Sequence, residues 1–193
     1  DGPILENIIQ NNSAFKGAGL SNCNGRVANN EILDNAGGEE GGGLYLCDGE
    51  IEGNRIENNR ANSGGGLSMC NGPIRGNRIV GNLSSNGWYG GGGLLDCNGL
   101  IEANLIADNH ASLQGGGICM AGGTIRNNMI WNNTTGNLAA PNGEGFGGGI
   151  FRAYGLVVNN TLYGNQAALE GGGICDSSAV ILNCILWANT PTQ

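Results

Sequence analysis

Glycine runs return along the chain at a nearly fixed interval, and that interval limits the possible folds more than any other feature. Triplets or near-triplets begin at Gly17, Gly41, Gly64, Gly91, Gly115, Gly147 and Gly171, in steps of 24, 23, 27, 24, 32 and 24 residues. A unit this short cannot bury its own apolar face, so a period of this length implies repeats that stack on one another. Three aliphatic columns keep the same register. The first follows each glycine run: Leu20, Leu44, Leu67, Leu94, Ile118, Ile150, Ile174. Seven places on stand Val27, Ile51, Ile74, Ile101, Ile125, Val157, Ile181, and five further on Ile32, Ile56, Ile79, Ile106, Ile130, Leu162, Leu186. No apolar period of 3.6 occurs, and short β-branched segments parted by Gly, Asn and Asp read as strands between tight turns.

Two asparagine columns flank the third strand. One is Asn7, Asn30, Asn54, Asn77, Asn104, Asn128, Asn160, ending in Cys184; the other is Asn12, Asn35, Asn59, Asn82, Asn109, Asn133, Asn165, Asn189. A stacked amide can hydrogen-bond to its equivalent above and below, so these columns are expected to form turn ladders. The expected fold is therefore all-β: a right-handed parallel β-helix, or β-solenoid, of about eight coils of 23–24 residues with three short strands per coil. Residues 1–193 form a single domain with a partial first coil at 1–16, a rod of about 38 Å at ~4.8 Å per coil. Loop insertions are expected near 83–90, including Trp88 and Tyr89, and near 134–146.

Composition removes other classes. The 39 glycines show no collagen period and come with only 4 prolines. With 8 Lys+Arg against 16 Asp+Glu the net charge is −8, which argues against nucleic-acid partners. No apolar stretch is long enough to span a bilayer, and Asp1-Gly2-Pro3-Ile4 lacks the basic start and apolar core of a signal peptide.

Units such as Gly41-Gly-Gly-Leu-Tyr-Leu-Cys-Asp-Gly-Glu-Ile51, followed by Asn54-Arg-Ile56 and Asn59, resemble the right-handed parallel β-helix proteins of the pectin-lyase-like fold. They are also similar to the repeats of bacterial surface passenger domains, with Ile or Leu where those repeats carry Phe. The resemblance implies a fold and an extracellular or cell-surface location, to which the low Lys content adds. It does not imply one chemistry, since the fold hosts lyases, hydrolases, adhesins and coat proteins.

Four groups could carry function. Cys23, Cys47, Cys70 and Cys97 form a row continued by Ala121, Ala153 and Ser177, which reads as a packed column of small residues. A straight row of sulfurs does not supply a tetrahedral metal site. Glu52, Arg75, Glu102 and Arg126 alternate in sign on an outward face and are expected to pair as a charge ladder. Because lyases of the resembled fold use such faces for calcium and a basic proton acceptor, the resemblance makes calcium the one ion to consider; otherwise no cofactor is expected. Trp131, Tyr163 and Trp187 share an outward column that could stack on carbohydrate or a partner. His110 reads as a solvated loop residue.

The sequence opens partway through a unit, since Asp1-Gly2-Pro3-Ile4 matches Asn71-Gly72-Pro73-Ile74, and neither end shows a cap. Uncapped solenoid ends are open strand edges, so the ends are expected to be covered by more of the same rod or by other copies. The functional expectation is a non-catalytic structural β-solenoid of an extracellular or cell-surface assembly, self-associating through its ends into a fibre. The alternatives are a carbohydrate-active enzyme or sugar-binding module, and an adhesin stalk.

Overall fold

The computed structural model describes residues 2–85, 89–137 and 144–191. The insertions expected near 83–90 and 134–146 therefore fall partly outside the described residues, and Trp88 does so entirely. The described chain is all-β and winds as a parallel β-solenoid of four sheets. Sheet A runs from Ile4–Leu5 to Val180–Leu182 and sheet B from Ile8–Gln10 to Ile185–Trp187, with eight strands each. Sheet C runs from Ser13–Lys16 to Gln166–Ala167 and sheet D from Leu20–Ser21 to Ile174–Cys175, with seven each.

The coil has four strands where three were expected, and the described strands make about seven full turns where eight were counted. The missed strand is that of sheet C, which carries no aliphatic column. Its inward positions are Ala61, Ser84, Ala111, Thr135 and Ala167, all buried but too small to register as an apolar period. Leu83 and Thr134, which open the expected insertions, both stand in sheet C strands.

Each rung contributes one layer to a continuous core. In one layer Leu67 of sheet D, Cys70 at the corner, Ile74 of sheet A and Ile79 of sheet B are all fully buried. Register is strict: Ile51, Ile74 and Ile101 are direct partners, as are Ile56, Ile79 and Ile106. Like side chains thus lie over one another at strand spacing.

The glycine triplets have a steric cause. The first glycine of a triplet takes a left-handed φ, +62° at Gly64 and +71° at Gly91. The third has no room for a side chain, because a Cβ on Gly66 would meet the Gly93 carbonyl oxygen at 2.5 Å. The sheet C to sheet D corner thus brings successive backbones together more closely than any other residue would allow.

A smaller apolar cluster lies on the outer face of sheet D. Leu95, Cys119, Phe151 and Cys175 pack there with Met120 and Phe146. The corner segment covers them, with parallel bridges from Gln114 to Phe146 and from Phe146 to Glu170.

Candidate functional site: the outer faces of sheets A and B

The asparagine columns hold the turns on either side of sheet B. In the first, Asn77 donates from its backbone N–H (2.9 Å) and its Nδ2 (3.1 Å) to Oδ1 of Asn104, and Nδ2 donates again to the Ile51 carbonyl (2.9 Å). Asn30, Asn54, Asn104 and Asn128 repeat the pattern up to Asn160. There Cys184 takes the next place, 4.0 Å from the Asn160 Nδ2. The second ladder runs from Asn12 through Asn35, Asn59, Asn82, Asn109, Asn133 and Asn165 to Asn189. From Asn30 and Asn35 up to Asn160 and Asn165 these side chains are buried, so each ladder both satisfies turn amides and locks the rung spacing.

A third ladder, not anticipated from sequence, lies exposed at the corner between sheets D and A. Its backbone donors point the other way along the rod: Asp48 N–H to Asn24 Oδ1 (3.1 Å), Asn71 to Asp48 (2.8 Å), Asn98 to Asn71 (3.0 Å) and Gly122 to Asn98 (2.7 Å). The signal was available in the Asn24, Asp48, Asn71, Asn98 column, one place after the cysteines.

In the cysteine row all thiols are free; Cys47, Cys70 and Cys97 are buried and Cys23 is partly exposed. Each donates to the carbonyl two residues earlier, as Cys47 does to Tyr45 (3.4 Å). Hydrogen bonding to Cys70, together with burial, pushes the Cys47 thiol up, and burial does the same for Cys70. These are inert core thiols. In the outer cluster of sheet D, burial pushes the Cys119 thiol up to about 12, and its Sγ donates to the Tyr89 carbonyl at 2.8 Å.

Glu52, Arg75, Glu102 and Arg126 are stacked in sheet A in that order. The ion pairs among them are Arg126–Glu102 at 2.7 Å and Arg75–Glu102 at 3.6 Å. The other contacts run to residues outside the row: Arg75 reaches Glu50 at 3.0 Å, and Glu52 is held by Arg26. The Arg126 guanidinium, bonded to Glu102, holds that carboxyl below its ordinary range.

Sheet B carries a second ionic cluster that the sequence reading missed. Arg55 bridges Glu31 and Glu57, both at 2.8 Å, and Arg78 meets Glu57 at 2.6 Å. Burial works to raise the Glu57 pKa, but hydrogen bonds from Arg55 and Arg78 prevail and hold it low. Glu31, Arg55 and Arg78 share one column and Glu57 stands in the next outward one, so the signal was present but split between columns.

Further along sheet B the same face turns aromatic. Trp131, Tyr163 and Trp187 are direct register partners, continuing the column of Leu33, Glu57, Val80 and Ala107. The Tyr163 and Trp187 rings meet edge-to-face at 5.9 Å and 61°. A companion column escaped the sequence reading: Met129, Thr161 and Ile185, two residues earlier on the same strands and facing the same way.

His110 is not a loop residue. It stands half-buried in a sheet C strand, its Nδ1 is 2.9 Å from Thr134 Oγ1, and burial lowers its pKa.

Comparison with known proteins gives no match: no family model, no curated protein and no solved structure aligns significantly with the chain.

Proposed function

We propose that this chain is a non-catalytic structural element of an extracellular or cell-surface assembly, a stiff rod that lengthens by stacking on further copies of itself. The finer kinship read from the repeat motif, with pectin-lyase-like β-helices and surface passenger domains, belongs to the same proposal, as does the location. One observation carries it. Rung after rung the described residues repeat in register, Ile51 on Ile74 on Ile101 and Ile56 on Ile79 on Ile106, a stack that lengthens by the addition of like rungs. Parallel strands in this register can be extended by strands of a second copy as they are extended within the chain by the next rung.

Sedimentation over a range of concentrations tests the proposal. Growing species and threads in electron micrographs are expected for the wild type, and single short rods for Ile181→Glu/Leu186→Glu. One protomer size at all concentrations would overturn the stacking.

The enzymatic alternative would use the sheet A charge row. In support of the structural reading, Glu52 and Glu102 are both engaged by arginines. Calcium-dependent cleavage of an acidic polysaccharide, abolished by Arg75→Ala, would displace the proposal.

A further inference from the structure

The aromatic end of sheet B has no part in a rod built from the core outward. Its exposure is not an effect of the rod's end. Tyr163 is flanked by Trp131 on one side and Trp187 on the other and is still 42% exposed; Met129, between Leu105 and Thr161, is 50% exposed. Both side chains are open because they point away from the core. With Trp187, 71% exposed, they make a strip two side chains wide over three rungs.

The borders of the strip are neutral. Exposed Asn127, Asn159 and Asn183 line the turn before the strands, and Asn132 the turn after Trp131. The nearby charged groups are already engaged: Arg126 by Glu102, and Asp108 by the Asn132 amide at 2.5 Å. A charged ligand would find no free counter-charge among these groups. Strand rise and rung spacing give the strip a footprint on the order of 150 Å², whereas a standard protein interface covers about 800 Å² per partner. A second copy or a protein partner would need far more apolar surface than this.

We propose that the strip binds an uncharged glycan, with sugar rings lying on Tyr163 and Trp187 and hydroxyls bonded to the bordering amides. Aromatic rings offer an apolar face to the axial C–H side of a pyranose, and amides both donate to and accept from its hydroxyls. A narrow linear ligand suits a two-column strip, and an uncharged one suits its border. Tyr163 and Met129 lie inside the stack, so the variant that tests the site, at Tyr163, leaves the last strand, Ile185–Trp187, untouched.

The test is to titrate the intact protein with cellohexaose, maltohexaose and mannohexaose, and with a galacturonate hexamer as the charged comparison, by tryptophan fluorescence and calorimetry. At least one neutral hexamer should bind with a Kd of about 1 mM or tighter. Tyr163→Ala should weaken that binding roughly tenfold, the equivalent of one lost stacking contact, and Tyr163→Phe should keep it within about threefold. Arg75→Ala should leave it unchanged. Four results would each overturn the proposal: no neutral hexamer binds; Tyr163→Ala binds as wild type does; the galacturonate hexamer is preferred in an Arg75-dependent way; or Tyr163→Ala disperses a side-by-side dimer, making the strip a protein contact. Because Tyr163 points outward, Tyr163→Ala should lower the urea midpoint by no more than the loss of its edge-to-face contact with Trp187, which checks that it folds.

Discussion

Sheet B has two halves that differ on the outside and agree on the inside. In the early rungs Glu31, Arg55, Glu57 and Arg78 close into an ionic cluster; in the late rungs Met129, Trp131, Tyr163 and Trp187 leave an open apolar strip. The inward column runs through both without change of character, from Ile32, Ile56 and Ile79 to Ile106, Ile130 and Leu162, all fully buried. The inner columns and asparagine ladders therefore specify the solenoid, and the outward positions are free to take on different chemistry rung by rung.

If that division holds, ladder substitutions should cost the most and cost the same in both halves. Asn82→Ala strands the Ile56 carbonyl and the Asn59 amide, and Asn133→Ala strands their counterparts at Ile106 and Asn109. Each is expected to destabilise by about 4 kcal/mol, since every orphaned buried group costs roughly 1–3 kcal/mol. Urea unfolding reads the difference, and a mild effect in one half alone would break the equivalence. Core truncations come next. Ile79→Ala and Ile130→Ala should each cost about 2–5 kcal/mol, with midpoints that agree closely.

Acid should separate the halves. Arginine contacts hold Glu57 below its ordinary value of 4.5. A lowered folded-state pKa gives stability that is complete above the unfolded value and lost as pH falls through the folded one. Thermal midpoints should therefore hold steady near neutrality and fall below about pH 4.5. Arg78→Ala should flatten that decline, and Tyr163→Ala should not alter it; equal acid profiles for wild type and Arg78→Ala would remove the cluster's role. The smallest effects belong to the surface itself. Arg55→Ala should cost no more than about 1 kcal/mol and lose its effect in high salt, because exposed pairs are weak and screened. Tyr163→Ala should be as mild but indifferent to salt.

The repeat made most of this legible in advance. A column of identical residues at a fixed period has one economical arrangement, and Ile51, Ile74 and Ile101 do stack in register. The Asn30 to Asn160 and Asn35 to Asn165 columns could be read as ladders because an amide repeated at each turn can bond to its like above and below. Sheet C was invisible for the opposite reason: Ala61, Ser84 and Ala111 fill a narrow corner where glycine backbones crowd together, and small residues leave no hydrophobic period.

What tertiary structure alone decided is which neighbour each charged side chain reaches. Arg75 stands in register with Glu52 but reaches Glu50, while Glu52 turns to Arg26. A long side chain on a surface can choose among the residues directly above, below and diagonal to it, and the choice depends on strand geometry that the period does not carry. A buried aliphatic or amide has no such freedom. Its place in a repeat column already names its neighbours; for the exposed groups the fold had to be built first.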